Sequence, residues 1–390
     1  MKRGKYEKAL SVILSLVLIF SVINLGGITA FAENETITDG DYSYRLLDDG
    51  TYELLSYEGA DTDLIIPSEF RGLPVTVLGV YSCGLCDNLT NVVIPDTITS
   101  IGSQCFKKNP SLETVTIPQS VKEIGEGAFS ECPSLKRINI ENLAVWCEIS
   151  FGDQESSPFC FASEFYLNGK PLKDVEIPSS VKEISNYAFY SAPIETLKIP
   201  LGVTEIGIGA FVGCKNLTSI SLPSSIKSIN RATFMECTAL TEVTIPKGVE
   251  IIDEFAFYKC TGLKKVTVPS SVTSVTISSF NSCTSLEELV VLSEANLEFG
   301  NLGSTALTIY AKSGTPTESY AKANNIPFTS LLIGDTDGDG SVGISDLTLV
   351  SIYLSGKGEL TSAQAACADI NEDSTVDAFD MFYIDKAIYA

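Results

Sequence analysis

The stretch Leu217-Thr-Ser-Ile220-Ser-Leu222-Pro223, followed by Ile226, Ile229, Phe234 and Cys237, decides the fold because the chain repeats it. Pro200, Pro223, Pro246 and Pro269 stand 23 residues apart. Phe211, Phe234, Phe257 and Phe280 keep that interval, as do Cys214, Cys237, Cys260 and Cys283. Earlier copies lie at Pro95 and Pro118 with Phe106 and Phe129, and Pro178 with Phe189 opens another. A fixed period of this length marks a solenoid. Ile220 and Leu222 alternate with Ser219 and Ser221, as in a short strand with one buried face. Proline ends the strand because it has no N–H for the ladder. One coil cannot bury its own apolar side, whereas stacked coils bury a continuous core. The expected fold is an α/β-type repeat solenoid of parallel short strands.

Each column has a physical reading. The phenylalanines, in an Ala-Phe context at strict period, are expected in the core. The cysteine column accepts Asn109 and Ala192 besides Cys86 and Cys132. That tolerance describes a tight, partly polar turn in which a buried thiol is ordinary. Cys83-Gly-Leu-Cys86 has C-x-x-C spacing but no second pair. It reads as structural, with Cys83 replacing the column phenylalanine.

The period breaks between Pro118 and Pro178. Residues 141–171 hold the only tryptophan, Trp146, then Asp153 and Glu155, then a hairpin signal at Asn168-Gly169. This insert is expected to be a larger coil with a side hairpin, a binding lobe being the alternative. Thr114, Thr116, Ser219, Ser221, Glu242, Thr244, Lys265 and Thr267 are the strand positions expected to face the concave side. They form no aromatic stripe on which a sugar would stack.

The pattern from Ile117 to Cys132, IP-x-x-V-x-x-I-G-x-x-A-F-x-x-C, resembles bacterial surface leucine-rich repeats of the BspA type. The insert and the ending from Leu307 through Phe328 also resemble that family, over about residues 41–330. The resemblance implies a surface-exposed or secreted protein acting in adhesion or recognition. It names no ligand, so the solenoid's partner stays an unknown protein or glycan.

Composition narrows the function further. The 390-residue chain carries a net charge of −23 and no histidine. Such a field repels phosphate backbones, so nucleic-acid binding is not expected. Ser-His-Asp and Cys-His catalysis in their usual forms are excluded. Carboxylate-only hydrolysis is not, and Asp153 with Glu155 is the one pair to consider in the insert. Residues 1–32 read as a secretory signal peptide: Lys2, Arg3, Lys5 and Lys8, an apolar run from Ala9 to Leu25, then Ala30-Phe31-Ala32. An uncleaved membrane anchor is the alternative. The solenoid is expected over residues 33–330.

Residues 331–390 differ in kind. Asp335, Asp337, Asp339, Gly340, Ser341 and Asp346 match a D-x-D-x-D-G calcium loop. Calcium takes about six to eight oxygens, and Gly340 permits the sharp turn that gathers them. Ser341 would lend a backbone carbonyl and Asp346 would close the shell. Asp369, Asn371, Asp373, Thr375, Asp377 and Asp380 repeat the spacing 34 residues later. Ser374 there replaces glycine, so the second of two ions should bind more weakly. Helices are expected over about 346–354 and 377–389, with a capping box at Thr361-Ser-Ala-Gln364.

A loop-then-helix unit duplicated over about 57 residues, without a leading helix, resembles a type I dockerin. The resemblance implies calcium-dependent binding to a cohesin on a scaffoldin of a cellulosome-like assembly. It places partner choice at Ile344, Ser345, Ser351 and Ile352 in one half, and at Ala378, Phe379, Asp385 and Lys386 in the other. For Ile344 and Phe379, packing in the module's small core is the alternative. The expected function is a secreted, non-catalytic docking protein. The alternative is a cellulosomal component that binds or hydrolyses plant polysaccharide.

Overall fold

The computed structural model describes residues 35–389; the expected signal peptide lies outside them. From Asp63 onward the chain winds through parallel strands. Asp63–Ile65, Asn91–Val93, Thr114–Ile117, Arg137–Ile140 and Glu164–Leu167 form one run. Asp174–Glu176, Thr196–Lys198 and Ser219–Ser221 form a second. Glu242–Thr244, Lys265–Val268, Glu288–Val291, Thr308–Ala311 and Phe328–Ser330 form a third. Lys265 sits opposite Glu242 and Glu288, so one 23-residue period advances the chain by one strand. Val243, Val266 and Leu289 point inward and are buried.

The return side of each coil is mostly turn, with a second ladder of two-residue strands such as Ser228–Ile229, Ile251–Ile252 and Ser274–Val275. Hydrogen bonds between coils continue through the turn. Phe211 N–H donates to the Thr233 carbonyl at 2.9 Å, and Phe234 N–H to that of Ala256 at 2.8 Å. Ala232 and Glu236 hold φ values of 56° and 61° there, each at a cost of about 1 kcal/mol. The inter-coil hydrogen bonds offset it.

The phenylalanine column is core. Rings of Phe189, Phe211, Phe234, Phe257 and Phe280 stack with centroids 5.1–5.5 Å apart, and all five are fully buried. The cysteine column works beside it. The Cys237 thiol donates to the Phe211 carbonyl at 3.3 Å, and Cys260 to Phe234 at 3.1 Å. Cys132, Cys214 and Cys283 make the same contact one coil back. Asn109 makes it with its amide, which donates to the Cys83 carbonyl at 2.9 Å. The position therefore takes a small residue, and where that residue is Cys132, Cys214, Cys237, Cys260, Cys283 or Asn109 it also donates to the coil before. All eleven cysteines are free thiols, Cys83 and Cys86 included. Burial pushes the thiols of the column up, so they stay protonated.

The insert splices the core. Helix α1 (Leu143–Glu148) turns Trp146 inward, where its ring meets Phe151, Phe159 and Phe165. Phe165 then reaches Phe189, which restarts the stack. The Trp146 indole donates to the Ala188 carbonyl at 2.9 Å. Lys170–Pro171 folds back on Glu164–Leu167 as the side hairpin. Asp153 caps a short 3-10 turn, accepting from the Ser156 N–H and hydroxyl, and also takes the Gly127 N–H. Its carboxylate is thus committed to the turn.

Both ends of the stack are closed by aromatic residues. Tyr44, Tyr52 and Phe70 cluster at the first coils. Helix α2 (Pro316–Ala323) brings Tyr320 against Phe299 at the last. No helix among the described residues is long and apolar enough to cross a membrane.

Phe234→Ala is expected to cost about 3–5 kcal/mol, because it opens a cavity in the middle of the ring stack. Cys237→Ala removes one weak donor and should cost about 1 kcal/mol. Urea unfolding followed by circular dichroism compares them. Equal shifts of the two midpoints would overturn the separate roles assigned to the columns.

Candidate metal-binding and docking site

Past Phe328–Ser330 the chain enters the first acidic loop. Asp335 folds back on the turn it begins: one oxygen accepts the N–H groups of Gly338 and Asp339, the other that of Gly340 at 2.8 Å. Gly338 and Gly340 hold φ values of 79° and 91°, which glycine adopts without penalty. Asp339 turns to the Ser341 N–H and hydroxyl. Asp346 is fully buried and accepts from Thr336, Asp337 and Gly343 backbone N–H groups. Burial raises its pKa, but those three N–H groups outweigh it and hold the carboxyl below its ordinary range.

The result is a tight cage of hard oxygens. Carboxylate oxygens of Asp335, Asp337 and Asp346 lie within 4.8 Å of one another. Among the described residues no other three such side chains converge as closely. Like charges so near repel unless a cation or protons intervene. The donors are all oxygen and several are carboxylates, which suits calcium rather than a softer metal. The residues fit the ion that the sequence implies.

The second loop repeats the fold with less convergence. Asp369 accepts from Asp373 and Ser374, and the buried Asp380 accepts from Asn371 and Asp377. Burial pushes the Asp369 carboxyl up to about 6, reinforced by the Asp380 charge and opposed by the Ser374 N–H. Asp373 is held by the Thr375 hydroxyl and by the Asn371 amide. Asp377 accepts the Phe379 N–H at 2.7 Å and so caps the helix that follows. Ser374 does adopt a left-handed φ, 72°. Sequence reasoning missed Glu372, also left-handed at 56°, where the first loop has Gly338. Comparing the two loops position by position was the signal.

Each loop leads into a helix: α3 (Ile344–Leu354) and α5 (Ala378–Ile388), with α4 (Ser362–Ala368) between them. Thr361 and Gln364 form the expected capping box on α4. Val350, Ala368 and Ile384 make the core, joined by Val342 and Val376 from the eighth positions of the loops.

The expected partner-contact positions are on the surface. Ile344 and Phe379 are 67% and 69% exposed, so neither packs in the core. Ser345, Ser351, Ala378, Asp385 and Lys386 are exposed, and Ile352 is 41% exposed. Tyr353, Leu354, Phe382 and Tyr383 extend the same apolar exposure and were not singled out from sequence. Their spacing along α3 and α5, beyond what a small core needs, could have found them.

A stack of parallel-strand coils that ends in two loop–helix units defines a repeat-solenoid interaction protein with an appended docking module. The chain belongs to the BspA type leucine-rich repeat family, whose model matches residues 74–156 and 160–294 in six copies, and its tail is a type I dockerin domain, matched over 333–389. Both are interaction modules rather than catalytic ones. Type I dockerins typically bind calcium, and the domain implies a cohesin partner. No curated protein matches the chain.

Among solved structures, a leucine-rich repeat protein from Bacteroides ovatus is 22% identical over 70% of each chain, with a TM-score of 0.47. A leucine rich cell surface protein from Faecalibacterium prausnitzii is 22% identical over 67% of this chain and 96% of its own, at 0.32. The pneumococcal vaccine antigen PcpA is 16% identical over 77% of this chain and 99% of its own, at 0.39.

Asp337→Asn keeps an acceptor for Asp339 but removes one charge from the first cage. It should weaken the tighter calcium site about tenfold or more and spare the other. Ser374→Gly should strengthen the weaker site about fivefold, since relief of about 1 kcal/mol of backbone strain appears as affinity when ion uptake orders the loop. Calorimetric titration of the full chain reads both. A tighter site indifferent to Asp337→Asn would sink the assignment.

Proposed function

We propose that this protein is a secreted, non-catalytic docking subunit. Its dockerin, loaded with two calcium ions, plugs into a cohesin on a scaffoldin of a cellulosome-like assembly, and its solenoid serves as the recognition or adhesion module. The observation that carries the reading is the run of exposed apolar residues on α3 and α5, each starting at the end of an oxygen-rich loop. An exposed apolar patch of that kind marks a binding surface. The ligands we assign are Asp335, Asp337, Asp339, Ser341 and Asp346 for one ion. For the other they are Asp369, Asn371, Asp373, Thr375, Asp377 and Asp380. The cohesin contacts are Ile344, Ser345, Ser351 and Ile352 with Ala378, Phe379, Asp385 and Lys386. Export fits the family, since both matched domains are typical of extracellular or cell-surface proteins.

The two halves carry different chemistry, Ile-Ser against Ala-Phe, so docking should favour one orientation. Cohesin pull-down with and without chelator tests the core of the reading, and binding should vanish in chelator. Substituting Ile344 and Ser345, or Ala378 and Phe379, should lower cohesin affinity unequally. Equal losses would count against a single orientation. A glycan array probed with the full chain separates protein recognition by the solenoid from the polysaccharide-binding alternative.

A further inference from the structure

Glu372 is unexplained by ion binding. It stands at loop position four, which supplies no ligand in the pattern of positions one, three, five, seven, nine and twelve. It holds a left-handed φ of 56° where the first loop uses glycine. An L-residue there costs about 1 kcal/mol. What its side chain does is reach the solenoid. Its two oxygens accept the Ser270 N–H at 2.8 Å and the Ser270 hydroxyl at 2.6 Å. The neighbouring Asn371 carbonyl accepts from Lys247 Nζ at 2.9 Å. Lys247 and Ser270 follow Pro246 and Pro269, so they occupy the same turn in adjacent coils. The second loop thus straddles two coils at one repeated position.

The sheet beside this turn is adapted to the same contact. Along one register the outward residues run Thr244, Thr267, Val290, Tyr310 and Thr329. Val290 faces away from the solenoid core yet is 0% exposed. Helix α4 lies over the strands Lys265–Val268 and Glu288–Val291 and covers it. Under the helix the outward position changes from Thr267 to the apolar Val290. Ile344 and Phe379 stay exposed, 67% and 69%, with the dockerin so placed.

We propose that the second loop is a latch as well as an ion site: Asn371 and Glu372 fasten the dockerin to the two adjacent coils that carry Lys247 and Ser270, and ion occupancy of this loop and closure of the latch support each other. The inference rests on reading the second loop as a calcium site. Filling that loop orders Asn371, a ligand position, together with Glu372 beside it, in the conformation that meets Ser270. By reciprocity, a closed latch pre-orders the loop and raises its affinity. The solenoid thereby compensates a loop weakened by Ser374. The dockerin is displayed in one fixed attitude, and the outer sheet face left for a solenoid ligand is that of the earlier coils.

The test uses the full chain with Lys247→Met and Ser270→Ala combined, neither residue being in an acidic loop or on the cohesin-facing helices. Calorimetric calcium titration should show the weaker site at least about fivefold weaker, with the tighter site unchanged. Hydrogen exchange at residues 288–291 should rise in the variant, and in the native chain on adding chelator. Unchanged weaker-site affinity, or exchange indifferent to chelator, overturns the latch. A native chain that takes up a single ion instead refutes the second calcium site. Chelator-independent protection at 288–291 that Lys247→Met and Ser270→Ala still abolish would then show a contact without ion coupling, against the proposal.

Discussion

No coil of this protein can satisfy itself. Each has one apolar side and a row of backbone N–H and carbonyl groups that only a neighbouring coil can pair. The ladder Glu242, Lys265, Glu288 and the turn bonds from Phe211 to Thr233 and Phe234 to Ala256 are two expressions of that constraint. The ring stack and the thiol column follow from it, because every coil must offer the next one an identical surface. Similarity of shape favours similarity of residue: a ring at most copies of one point, a small side chain at another. Ends and interruptions then need special devices. The Tyr44 cluster, Tyr320 on Phe299, and the Trp146 splice each replace the missing neighbour.

The dockerin obeys a different constraint. Its small core of Val350, Ala368 and Ile384 is far too slight to hold so many carboxylates together unaided. Backbone N–H groups do part of the work, three of them on Asp346. Type I dockerins typically bind calcium, and a cation of that kind would supply the rest. An acidic module at the end of an acidic chain would otherwise repel itself. That same module sets apolar side chains outward on α3 and α5, the kind of exposed patch that marks an interaction site.

Much of this was legible in the residues. The period exposed the strands, the phenylalanine core and the turn role of the cysteines, since repetition removes the ambiguity of a single short apolar run. The loop spacing exposed both acidic turns, the capping box on α4 and the left-handed Ser374. Other features were hidden because they depend on residues far apart in the chain. Nothing near Trp146 says that its indole will meet Ala188, and the thiol of Cys237 gives no hint of the Phe211 carbonyl. Nothing in the pattern of the second loop says that the Glu372 carboxylate will meet Ser270.

By itself, then, the sequence determined the coil, its stacking and the chemistry of the two loops, because these are local patterns repeated at fixed spacing and each repeat carries its own instructions. The tertiary structure alone decided how the insert bridges the core, which outward face is covered, and where the dockerin rests. Those outcomes rest on contacts such as Lys247 with Asn371, between residues more than a hundred positions apart. Periodicity carries no information about a pairing that occurs once.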